Sequence, residues 1–132
     1  MQFASVRLVT ADLDRLVSFY ESLTGVEPTR PAPVFAEFRL GGASLAISDE
    51  SLIRQFNAGA AVAASNRSAM IEFQVDDVDA LHEQAKSLDA DIVMPPSDMP
   101  WGNRSMLLRD PDGNVVNIFV RGRRDSRQRP GE

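Results

Sequence analysis

A chain of 132 residues, 43% of them apolar, is sized for one domain that builds its core without staples. Having no cysteine, it can form no disulfide framework, no thiolate nucleophile and no Cys-ligated zinc or iron–sulfur centre. Its net charge of −5, from 14 basic and 19 acidic residues, argues against a nucleic-acid face, which draws on clustered Lys and Arg.

In chain order, the N-terminus MQFASVRLVTADLD has neither the basic nor the apolar segment of a secretion signal, and no later apolar run is long enough to span a membrane. The expectation is a soluble cytoplasmic protein with no membrane partner. Phe3 to Val9 alternates like a strand. A helix follows, with Leu13, Leu16, Val17, Tyr20 and Leu23 on one stripe, Asp12 as N-cap and Gly25 as stop. Val34 to Leu40 and Ala43 to Ser48 read as a hairpin about Gly41-Gly42. The stretch NAGAAVAASN, between Ile53 and Arg67, is weakly patterned and reads as a join that could be helix or loop.

The order then repeats. Ala69 to Val75 is a strand, and Val78, Leu81, Ala85 and Leu88 mark a helix face. Ile92 to Met94 is a short strand before the Pro-rich loop PPSDMPWGN, and two strands flank the turn at Asp110 to Asn114. A shift of 65 residues sets Val6 on Ile71, Leu8 on Phe73, Asp12 on Asp77, Asp14 on Asp79 and Leu16 on Leu81. A shift of 71 sets Gly42 on Gly113, Leu45 on Val116 and Ile47 on Ile118. Apolar falls on apolar, which signals a duplication. The fold class is therefore α+β: two tandem βαβββ units, about residues 1–55 and 68–120, in a single domain 1–120. The remaining segment, 121–132, carries five Arg against Asp125 and Glu132 and reads as a disordered basic tail.

Strand alternation assigns faces. Val6, Leu8, Leu45, Ile47, Ile71, Phe73, Val116, Ile118 and Val120 should meet the helices, leaving Ser5, Arg7, Ser44, Ala46, Met70, Glu72, Gln74 and Asn117 on the other side. Two such sheets would enclose a cleft lined by that second set. Arg7 and Glu72 hold equivalent places and could pair. Phe35, Glu37 and Arg39 share one face of the third strand, Trp101 sits in the Pro-bounded loop, and Arg104 and Met106 follow it with a parity that points to the cleft. No serine has a basic partner placed to activate it, and the lone His82 belongs to the second helix.

Four stretches, VRLVTADLDRLVSFYESLTG, FAEFRLGGASLAIS, MIEFQVDDVDAL and PWGNRSMLLRDPDGNVVNIF, together resemble the vicinal oxygen chelate superfamily of glyoxalases, extradiol dioxygenases and bleomycin-resistance proteins. That resemblance implies the glyoxalase/bleomycin-resistance fold. It also implies a divalent metal held by His, Glu or Gln at positions that here are Ser5, Ala46, Met70 and Asn117, none of which offers an imidazole or carboxylate. The expectation is a protein of the bleomycin-resistance branch with no cofactor and no metal. It would be a homodimer binding a small, partly aromatic, cationic molecule such as an antibiotic. The expected ligand-binding residues are Arg7, Phe35, Glu37, Met70, Glu72, Trp101, Arg104, Met106 and Asn117. A metal enzyme with atypical ligands and an interaction module with a vestigial cleft stand as alternatives.

Overall fold

The structure is a computed structural model in which residues 1–122 are described; the tail expected to be disordered therefore lies, but for its first two residues, outside them. Contacts divide the chain into two compact units. Met1–Arg67 with Pro111–Gly113 make the first, and Ser68–Asp110 with the chain from Asn114 make the second.

In the first unit, β1 (Ser5–Thr10) leads to α1 (Leu13–Thr24), then to β2 (Thr29–Ala32), β3 (Phe35–Leu40) and β4 (Ala43–Asp49). The sheet order is β1-β4-β3-β2, with β1 parallel to β4 and the rest antiparallel. Helix α1 begins where Asp12 accepts the Arg15 amide and ends at Gly25, whose φ of 71° is the left-handed conformation that favours glycine. All five residues of its apolar stripe are buried. Tyr20 packs edge-on to Phe38 at 6.5 Å, joining the helix to the sheet.

The second unit repeats this plan with β5 (Met70–Gln74), α3 (Val78–Ser87), β6 (Asp91–Asp98), β7 (Arg104–Arg109) and β8 (Val115–Val120), in the order β5-β8-β7-β6. Asp77 caps α3 through the Ala80 amide, the same device as Asp12. Of the expected stripe on α3, Val78 and Ala85 are buried, whereas Leu81 and Leu88 are only half-buried. The turn before β8 is closed by Asp110, which accepts the Asn114 amide at 3.0 Å and its carboxamide at 2.7 Å. Gly113 supplies the positive φ of 86° that this turn requires.

Two tandem βαβββ units of the expected α+β class are thus present, with three departures in detail. β2 contains Pro31 and was not marked as a strand. β6 runs on through Pro95 and Pro96, which read as loop. Both are edge strands, where a missing N–H breaks no ladder. The third is α2 (Glu50–Phe56), capped by Asp49 on the Ser51 amide, at the start of the weakly patterned join.

Candidate functional site

In each unit one sheet face is taken by a helix, and strand register says which side chains remain on the other. In the first unit Val6 pairs with Leu45, Leu8 with Ile47 and Phe38 with Leu45, so these share the α1 face. Ser5, Arg7, Val9, Phe35, Glu37, Arg39, Ser44, Ala46 and Ser48 lie opposite. Val6, at the sheet edge, is 45% exposed although it is on the helix side.

That opposite face is not bare. Arg7 Nη2 donates to Asn57 Oδ1 at 3.0 Å, and Asn57 is the C-cap of α2. Seven helical residues span about 10 Å, the length of three strand residues. Helix α2 therefore starts where β4 ends and runs back over the β1–β4 pair to the level of Arg7, with Ile53 buried. Below lie Ala46 and Ser48, both buried, and the Ser48 hydroxyl has no hydrogen-bond partner among the described residues. Phe35, beside Ser48 in register, is half-buried. Farther along, a recess of ≈ 290 Å³ opens between Gln2–Ala4, Glu37, Arg39 and the Gly41–Ser44 hairpin. Glu37 and Arg39 are 3.9 Å apart there, a loose pair at a wet site. Of the residues expected to bind ligand, this recess holds only Glu37.

In the second unit the free face carries Met70, Glu72 and Gln74 from β5, Val115, Asn117 and Phe119 from β8, and Ser105, Leu107 and Arg109 from β7. Glu72 and Asn117 are register partners, and Asn117 Nδ2 donates to Glu72 Oε2 at 2.8 Å. The other atom of that carboxamide, Oδ1, is buried and accepts no hydrogen bond from the described residues. Glu72 itself is exposed, and Met70 beside it is 48% exposed. Arg7 and Glu72, considered above as a pair, each find a partner inside their own unit.

Two expected contacts are corrected. Met106 pairs with Ile118 and is fully buried, on the α3 side. Arg104 shares that side and forks onto Asp79 of α3, Nε to Oδ2 at 3.0 Å and Nη2 to Oδ1 at 2.9 Å, while Nη1 reaches Asp98 at 3.2 Å. Beside the guanidinium, the Asp79 carboxyl is held below the usual carboxylate range, and Arg104 is pushed correspondingly up. Parity along β7 depends on how it registers with β8, and the five residues of loop before it gave no frame for counting. Residues that sequence reasoning did not place on this face are Phe119 and Leu107, whereas Gln74 lies where alternation put it. Phe119 carries the Arg121 guanidinium 6.0 Å from its ring centre, and Arg121 Nε also meets Gln74 Oε1 at 3.4 Å. Register alone could have found them.

The donor set does not fit a divalent metal. Ser5, Ala46 and Met70 offer no strong ligand, Asn117 offers one neutral oxygen, and among the described residues no three His, Asp or Glu side chains converge to hold an ion. His82 is on α3, with Nδ1 4.0 Å from Glu83.

Two sheets of identical order, each with a helix on one face and a polar strip on the other, define the class of the glyoxalase/bleomycin-resistance fold. The chain belongs to the Glyoxalase/Bleomycin resistance protein/Dioxygenase superfamily, whose family model matches residues 2–118. A glyoxalase/bleomycin resistance protein/dioxygenase from Nocardioides is 27% identical, with a TM-score of 0.77 over 93% of this chain and 85% of that one. TioX from Micromonospora sp. ML1 is 24% identical, TM-score 0.69, over 91% and 98% of the two chains. A lactoylglutathione lyase from Agrobacterium tumefaciens is 23% identical, TM-score 0.68, over 91% and 92%. At these last two identities the likeness is one of fold. Among curated proteins none is significantly similar in sequence. No helix among the described residues is long and apolar enough to cross a membrane.

Proposed function

We propose that this chain is a small-molecule-binding protein that sequesters a flat, partly aromatic cation, such as an antibiotic, without metal and without making or breaking a bond. The observation that carries this reading is the Glu72–Asn117 pair: a carboxylate beside a carboxamide whose Oδ1 accepts no hydrogen bond. A buried acceptor left without a donor costs about 1–3 kcal/mol. A cationic ligand offers the exposed Glu72 carboxylate a counter-charge, and Asn117 holds that carboxylate in place through Nδ2. Met70, Leu107 and Phe119 supply apolar area on the same face. Arg7, Phe35 and Glu37, on the sheet face of the first unit that α2 partly covers, are kept in this reading as a separate, first-unit group of candidate contacts. Arg104 and Met106, on the helix side, drop out of it. The family's name, which includes bleomycin-resistance proteins, lends support from outside the chain, and the same reading takes the protein to be a cytoplasmic homodimer.

The test is calorimetry with proflavine, a planar tricyclic cation, against acridone, a neutral molecule of similar outline. Proflavine should bind and acridone should bind at least ~10-fold more weakly, a gap of about 1.4 kcal/mol. Equal affinity would remove the charge from the argument. Titration with Ni²⁺, Zn²⁺ and Fe²⁺ in the same cell addresses the enzyme alternative: one equivalent of metal bound tightly would replace the sequestration reading with a metal-dependent one. Light scattering on the eluted peak reads the dimer.

A further inference from the structure

Strand β4 is buried on both of its faces, and β8, its counterpart in the second unit, is not. Leu45, Ala46, Ile47 and Ser48 follow one another and are each at most 4% exposed. In β8 only Val116 and Ile118 are buried, while Val115, Asn117 and Phe119 are half-exposed. The difference is α2, which packs on β4 and β1, whereas no helix follows β8 among the described residues. Yet the grip of α2 on the sheet is slight. Ile53 is its one buried residue, against five on α1, and Phe56 is 71% exposed. Its far end is tied to β1 by the exposed Arg7–Asn57 bond. Its near end is fixed, because the Asp49 amide donates to the Val34 carbonyl at 2.9 Å and the Asp49 side chain caps the helix. The chain beyond folds back on α2 itself: the Gly59 amide donates to the Ile53 carbonyl at 2.9 Å and the Ala63 amide to Glu50 Oε2 at 3.0 Å. Ala58 takes a φ of 57°, a left-handed value that this fold-back imposes on a residue with a Cβ. Beneath the helix, Ser48 Oγ meets no hydrogen-bond partner among the described residues, so covering it forgoes a bond that water would supply.

We propose that α2, with the chain to Ala63, is a cover hinged at Asp49 and latched by the Arg7–Asn57 bond, and that it lifts from β1 and β4 while the sheet and α1 stay folded. Elements with few buried contacts open locally before the whole structure does. Lifting withdraws one buried apolar side chain and breaks one exposed bond, and it gives the Ser48 hydroxyl its water. It also bares Arg7, Ala46 and Ser48. The first two are register partners, as are Glu72 and Asn117 at the equivalent places on the open face of the second unit. Access to the first-unit face is thus set by the cover. The lifting does not depend on the ligand proposed above.

The chain has no cysteine, so one introduced thiol reports one place. Ser48→Cys puts it under α2. Ala36→Cys puts it in the same unit on the α1 face, where Ala36 pairs with Ile47 and is fully buried. Each is labelled with dithiobis(nitrobenzoate), and its rate is taken relative to that of the same variant unfolded in urea. Ser48→Cys should react at least ~10-fold faster than Ala36→Cys, and its rate should be nearly flat at low urea, because lifting exposes little surface. Ala46→Cys, 2% exposed beneath the same helix, takes its place if Ser48→Cys fails to fold. Asn57→Ala and Arg7→Ala each remove the latch and should speed Ser48→Cys about fivefold while leaving Ala36→Cys level. Equal rates with equal urea dependence at the covered positions and at Ala36→Cys would mean that α2 leaves only when the unit unfolds, and would overturn the cover. Fast labelling of Ser48→Cys that the Asn57 and Arg7 variants do not change, or change alike in Ala36→Cys, would overturn the latch.

Discussion

Asn117 and Ser48 carry the same physical signature, a buried side-chain oxygen without a hydrogen-bond partner, yet they differ in what surrounds them. Beside Asn117 stands the exposed carboxylate of Glu72, a site that a charged ligand can approach. Ser48 is fully buried on the face over which α2 returns. The two therefore differ in where truncation should be felt, in stability for Ser48 and in binding for Asn117. Ser48→Ala removes a desolvated hydroxyl and almost no volume, so urea unfolding should show stability unchanged or raised by up to about 1 kcal/mol. A loss of that size would mean that the hydroxyl is in use. Asn117→Ala should alter stability by less than about 1 kcal/mol, since its one observed bond is to an exposed carboxylate. Its effect should fall on proflavine, weakened roughly tenfold by loss of the hold on Glu72.

At the scale of elements, the salt links at the two helix starts have the same logic. Asp14 and Asp79 occupy first-turn positions of α1 and α3, where a negative charge meets the positive end of the helix, and each is met by an arginine from the adjoining sheet. For Asp79 the folded state holds the carboxyl below its ordinary value of 3.8. Stability from that shift is fully present above 3.8 and is lost as the pH falls through the lower folded value. Loosening of the Arg104 fork on acidification should therefore begin only below about pH 4, read by the fluorescence of Trp101, the chain's one tryptophan, in the adjoining loop, and Asp79→Asn should abolish that dependence. Which elements were legible follows from how locally each is specified. Helix α1 announces itself through Asp12, its stripe and Gly25. The two hairpin-like turns do so through Gly41-Gly42 and DPDGN. Strands β2 and β6 contain prolines, and their strand character comes from lying at a sheet edge, which only the assembled sheet defines. Alternation put Glu72 and Asn117 on one sheet face, because both sit in strands where it is unbroken, but it set Glu72 against Arg7 and did not show the bond to Asn117. Arg104 and Met106 were misplaced because a loop of undetermined length in register precedes them.

For the whole molecule, charge is the property that composition states most plainly and that single contacts least express. The chain is −5 overall, and its last twelve residues contribute +3, so residues 1–120 carry −8. A body of that sign concentrates cations near its surface and repels anions, whatever the detail of the site. The attraction is long-ranged and falls with the Debye length, from about 30 Å at 0.01 M salt to about 8 Å at 0.15 M. Proflavine should therefore associate faster at low salt, and its affinity should weaken as salt is raised, by a factor of a few between those two conditions. Contacts made by Met70, Leu107 and Phe119 are insensitive to salt over that range, so part of the affinity should survive. Acridone, which carries no charge, provides the baseline. If proflavine and acridone responded alike, the acidic body would have no share in recognition, and the selectivity for cations would have to come from the Glu72–Asn117 pair alone.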